Sequence, residues 1–94
     1  QIDLAHYLRE QLLSNGWTIK NDTVLPIVCF THPSIEGKDE LVHQINENII
    51  ASGEAWCSTY PIHGELTIRA CIINYATDKG DINKYVALLN RFLP

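Results

Sequence analysis

The chain has no methionine, only three cysteines and few basic residues, and each shortage excludes something. Lys and Arg together number 7 against 11 Asp and Glu, for a formal net charge of −4. A non-specific nucleic-acid binder needs a basic stripe to neutralise phosphates, and none is present. No apolar run approaches the roughly 18 residues of a membrane span, and no signal-peptide pattern is read at the start. Cys29, Cys57 and Cys71 are odd in number and lack CxxC spacing, which suits neither a disulfide framework nor a zinc site. All three fall in apolar, strand-like segments and read as buried reduced thiols, as expected in a reducing cytosol. Phosphate-binding loops of the GxxxxGK[ST] or GxGxxG type are also missing.

What is present is the composition of one globular domain. Apolar residues make up 46% of the 94 residues and charged residues 19%. There is no repeat, linker or low-complexity stretch. The chain opens at Gln1, lacks methionine and enters a helical pattern at once. It therefore reads as a segment of a longer protein, with residues 1–16 as a leading helix from a missing large domain.

Residues 2–15 carry a helical stripe of Leu4, Leu8 and Leu12, with Ala5 and Leu13 beside it and Gly16 as the stop. Trp17 to Lys20 alternates as a half-buried strand, Asn21-Asp22 marks a turn, and Leu25 to Thr31 forms a second strand. Pro26 belongs at that strand's start or on an edge. Residues 38–52 form a helix with Val42, Ile45 and Ile49 on one face, closed by Gly53. Ala55 to Tyr60 is a strand, Pro61 to Gly64 a turn, and Leu66 to Asn74 the returning antiparallel strand. Asp78, with Asp81 three residues on, caps a last helix running to Phe92. The order α-β-β-α-β-β-α predicts an α+β domain, a largely antiparallel sheet of about four strands with helices on one face. The final strand is apolar on both faces: Leu66, Ile68, Ala70 and Ile72 on one, Cys71 and Ile73 on the other. Ile2, Tyr7 and Leu13 also fall outside the first helix's stripe. Both features point to a missing neighbour.

Arg69 stands on that second face. A guanidinium keeps its charge and needs an anion or water, so it reads either as a structural ion pair or as a bidentate clamp on a carboxylate or phosphate. Other groups have plainer readings. His6, His32, His43 and His63 are scattered. Ser58 has no nucleophile elbow around it. Asp39 and Glu40 open a helix, where its dipole favours acids. Asp78 and Asp81 lack the spacing of a calcium loop and fit a cap.

Ser58-Thr59, Gly64, Ile68-Arg69, Cys71, Asn74, Thr77 and Asp81-Ile82 together resemble a motif of the C-terminal small domain of fold-type-I pyridoxal-phosphate enzymes. The likeness is to the group II amino-acid decarboxylases, and Leu25 to Phe30 resembles the strand that opens the same domain. Ile68 stands where that family usually has leucine, a volume-conserving swap. The resemblance covers nearly the whole chain. It implies a cytoplasmic homodimeric parent whose large domain, elsewhere in the same chain, binds pyridoxal 5'-phosphate and supplies every catalytic residue. That cofactor acts as the electron sink in decarboxylation. Lys20, Lys38, Lys79 and Lys84 all sit in turn or helix-surface settings. Arg69 alone carries over, as the group that anchors the carboxylate of the amino-acid substrate in the cleft between domains. The fragment by itself is expected to be inactive. Two alternatives remain open: a transaminase or carbon–carbon lyase of the same superfamily, and a non-enzymatic α+β module that binds amino acids. Such modules interleave βαββαβ, whereas this chain reads ββαββα after its first helix.

Overall fold

Leu4, Ala5, Leu8 and Leu12 recur at helical spacing, and Ile2–Ser14 forms α1 with Ala5, Leu8 and Leu12 fully buried. Its end is a Schellman motif. Gly16 takes φ 84°, its N–H donates to the Leu13 carbonyl at 3.1 Å, and the Trp17 N–H donates to the Leu12 carbonyl at 2.9 Å. The chain then enters β1 (Thr18–Ile19) and β2 (Ile27–Thr31). The computed structural model describes residues 2–22, 26–53, 57–72 and 77–94. Expectations for Leu25, Ala55, Ile73, Asn74 and the side chain of Ile2 lie outside the described residues.

Helix α2 spans Asp39–Ala51 and buries Val42, Ile45 and Ile49, the stripe its sequence spells out. Beyond Gly53 (φ 99°) come β3 (Cys57–Ile62), β4 (Glu65–Cys71) and α3 (Lys79–Phe92). Asp78 caps α3 reciprocally with Asp81: the Asp81 N–H donates to Asp78 Oδ1 at 2.9 Å, and the Asp78 N–H to Asp81 Oδ2 at 3.0 Å. Ile82, Tyr85, Val86 and Leu89 are its buried face.

All pairings are antiparallel, and the four-stranded sheet runs β1-β2-β4-β3. The domain is α+β in the predicted order. The turn between β3 and β4 is tighter than the sequence suggested. Pro61 and Ile62 pair with Leu66 and Glu65 as strand residues, leaving His63 and Gly64 as a two-residue turn. Both have positive φ, 51° and 81°, as a type I′ hairpin requires. Pro61 is accommodated because β3 is an edge strand, where a missing N–H interrupts no central ladder.

Side chains alternate across the sheet. Val28 and Phe30 of β2, Cys57 of β3, and Ile68 and Ala70 of β4 join residues of all three helices in one core. Phe30 is its hub: Trp17 and Tyr85 meet it edge-on at centroid distances of 5.5 and 6.4 Å. The opposite face carries Cys29, Thr31, Ser58, Tyr60, Thr67 and Arg69. Ile27 and Cys71, which pair with each other, lie on it too; among the described large hydrophobic residues that stay exposed only Tyr60 belongs to it, and the expected contribution of Ile73 lies outside the described residues. Cys71 is half-buried there, whereas Cys29 and Cys57 are buried. Tyr7 is accounted for within the domain, because its hydroxyl donates to Asn83 Oδ1 of α3 at 2.8 Å; Leu13 remains exposed. Among the described residues, no helix is long and apolar enough to cross a membrane.

Candidate functional site

Strand alternation decides where Arg69 points. Ile68 and Ala70, its neighbours on β4, are fully buried toward the helices, so Arg69 emerges on the other face. Register places it between Cys29 of β2 and Ser58 of β3, each directly opposite. Its guanidinium carbon lies 5.6 Å from the ring centroid of Tyr60, a diagonal neighbour on β3. No described acid forms an ion pair with it; the ion pairs Lys20–Glu36 and His43–Glu47, both at 3.5 Å, involve other residues.

Cys29 does not neutralise this charge. Burial pushes its thiol upward from the ordinary value, and this outweighs the lowering by Arg69, by a hydrogen bond with Thr67 and by Arg9. The thiol therefore holds its proton more tightly than a free cysteine does and supplies no ready thiolate partner.

The border of β2 is closed by side chains. β1 pairs with Thr31 and Phe30, and the Lys20 N–H extends the contact by donating to the Cys29 carbonyl at 2.8 Å; beyond that, among the described residues, no strand flanks β2 on that side. Asn21 stands in for one: its Oδ1 accepts from the Cys29 N–H at 2.7 Å and its Nδ2 donates to the Ile27 carbonyl at 3.0 Å. Arg9 of α1 donates to the same carbonyl at 3.0 Å. At the other end of the sheet, the Leu66 N–H donates to Asp39 Oδ1 at 3.1 Å, tying the start of β4 to the start of α2. Asp39 is thus a helix-start charge, as read from the sequence, and also a tether that the sequence did not reveal.

The remaining candidates disperse. His6, His43 and His63 are exposed at separate places. His32 Nδ1 accepts from the Ser34 N–H at 3.1 Å and shapes the loop after β2. Ser58 is exposed and faces Arg69, not a histidine. Asp78 and Asp81 are engaged in the α3 cap. Lys38 and Lys79 stand at helix starts, Lys20 pairs with Glu36, and Lys84 is on the exposed side of α3.

Two depressions in the surface exclude Arg69. One of about 350 Å³ lies between α1 and α3 beside Tyr7, Asn83 and Asn90; another of about 460 Å³ lies at the start of α2 beside Asp39, His43 and Leu66. Arg69 stands half-buried on the sheet face instead, between Cys29 and Ser58. Tyr60 is the residue that sequence reasoning missed as a partner of Arg69. Its only local signal is a place among the alternating hydroxyls Ser58-Thr59-Tyr60, and the contact depends on strand register. Neither a protein-family model nor a curated protein matches this chain.

Proposed function

We propose that this chain is the C-terminal small domain of a pyridoxal-phosphate-dependent amino-acid decarboxylase, with Arg69 binding the substrate carboxylate. The observation that carries the reading is a charged guanidinium on the helix-free sheet face, with no ion pair among the described residues. A planar fork suits a carboxylate, and an entering large domain would exclude water from it. Held there, the substrate loses its rotational freedom before reaction, which is an entropic contribution to rate.

The chain's own lysines do not fit the cofactor. Lys38 and Lys79 open helices, Lys20 pairs with Glu36 and Lys84 is solvent-exposed. The reading therefore assigns pyridoxal phosphate and all bond-breaking steps to the large domain of the same chain, within a cytoplasmic homodimer. The element order supports this over a free-standing amino-acid-binding module, because ββαββα follows α1 where such modules interleave βαββαβ. A transaminase or carbon–carbon lyase would use the same domain; carbon dioxide release against keto-acid formation distinguishes them.

The test is Arg69→Ala in the full-length parent. Hydrogen bonds to charged groups contribute about 1.5–3 kcal/mol, so kcat/KM should fall at least about tenfold. An unchanged value removes Arg69 from the site.

A further inference from the structure

We propose that Tyr60 is a positioning residue for Arg69, holding its guanidinium fork aimed at a carboxylate without neutralising it. The proposal deepens the reading of Arg69 as a substrate anchor and rests on it.

Three observations lead to it. The guanidinium carbon lies 5.6 Å from the Tyr60 centroid, inside the range where a ring quadrupole attracts a cation. The backbone that carries the ring is held in place. Pro61 follows Tyr60 and confines its backbone to extended conformations, and the Thr67 hydroxyl donates to the Tyr60 carbonyl at 2.6 Å. Finally, Tyr60 is 48% exposed, although a bulky aromatic on a strand is ordinarily covered. Its exposure keeps the stacked guanidinium within reach of a ligand arriving from the open side.

The choice of an aromatic partner has a chemical consequence. A carboxylate at this place would satisfy the fork's donors and compete with the substrate. A ring attracts the cation through its face and accepts none of the N–H donors along the guanidinium edge. Arg69 is thereby restrained in direction and stays available for bidentate pairing. The ligand class that fits is a single planar carboxylate, approached from the side of the sheet away from the helices.

The experiment is a double-mutant cycle in the full-length parent, read as KM and kcat separately, with thermal melting to monitor folding. An exposed cation–π contact predicts that Tyr60→Ala raises KM about two- to fivefold with kcat little changed. Tyr60→Phe restores the KM that Tyr60→Ala loses, because the ring and not the hydroxyl makes the contact. Tyr60→Leu keeps the apolar bulk without the quadrupole and behaves as Tyr60→Ala; it replaces the alanine variant if that one does not fold. In an Arg69→Ala background, removing the ring adds nothing. A full additional loss in that background, or a wild-type KM for both Tyr60→Ala and Tyr60→Leu, overturns the positioning role while Arg69 stands. A wild-type kcat/KM for Arg69→Ala overturns the anchor reading itself, and this proposal with it.

Discussion

Cys29, 4% exposed and directly opposite Arg69, links the sheet face to the pH dependence of stability. Its folded thiol titrates above the unfolded one because burial outweighs the neighbouring cations. The folded state therefore holds this proton more tightly. The stabilisation is complete below the unfolded thiol value of about 8.5 and is lost as pH rises through the folded value. Urea denaturation of the wild type should show a steeper loss of stability above about pH 8.5 than Cys29→Ala does. Parallel slopes would contradict the raised thiol. At this scale the sequence was partly legible. Arg69 stood out because one charge interrupts an apolar strand. Its contact with Tyr60 did not, since the two are nine residues apart and meet only through the β3–β4 register. Cys71 was expected to be buried like the other two and is only half-buried, although Cys29, Thr31 and Thr67 on the same face are buried.

Elements whose signals are local were readable from the chain. Gly16 announced the end of α1, Asp78 with Asp81 announced the start of α3, and both close the hydrogen bonds those residue types are suited to make. Asp78→Ala should therefore cost about 0.5–2 kcal/mol of unfolding free energy in urea, since it removes a side-chain acceptor from the first turn of α3. The β3–β4 hairpin was readable only in part. Pro61 looks like a turn residue, yet it lies on the strand, and the turn proper is His63-Gly64. Gly64 sits at φ 81°, with open space around it. Gly64→Ala should cost about 1–2 kcal/mol from the left-handed backbone alone, measurable as a shift in the denaturation midpoint with unchanged slope. A neutral substitution would mean that the turn rearranges. The strand order β1-β2-β4-β3 could not be read, because nothing local in the sequence states that the second hairpin joins the first through β4.

The whole molecule is a two-layer sandwich with its helices on one side, and that asymmetry shapes both its stability and its reading. The core converges on Phe30, fully buried between Trp17 and Tyr85. Phe30→Ala should cost about 3–5 kcal/mol, a large share of the roughly 5–15 kcal/mol typical of such a domain, and chemical denaturation will measure it. On the proposed reading, the isolated domain mixed with pyridoxal phosphate should show no stoichiometric imine absorbance band, since its lysines lie outside any site. A specific band at one equivalent would overturn that assignment.

The two borders of the sheet carry a consequence of their own. On one side Asn21 and Arg9 occupy the Ile27 carbonyl, and Asn21 also takes the Cys29 N–H. On the other, Pro61 withholds a donor from the outermost strand. A foreign chain seeking to extend the ladder meets side chains already bonded to the Ile27 carbonyl and the Cys29 N–H at one border and a missing donor at Pro61 on the other, and each of these hinders fibrillar growth.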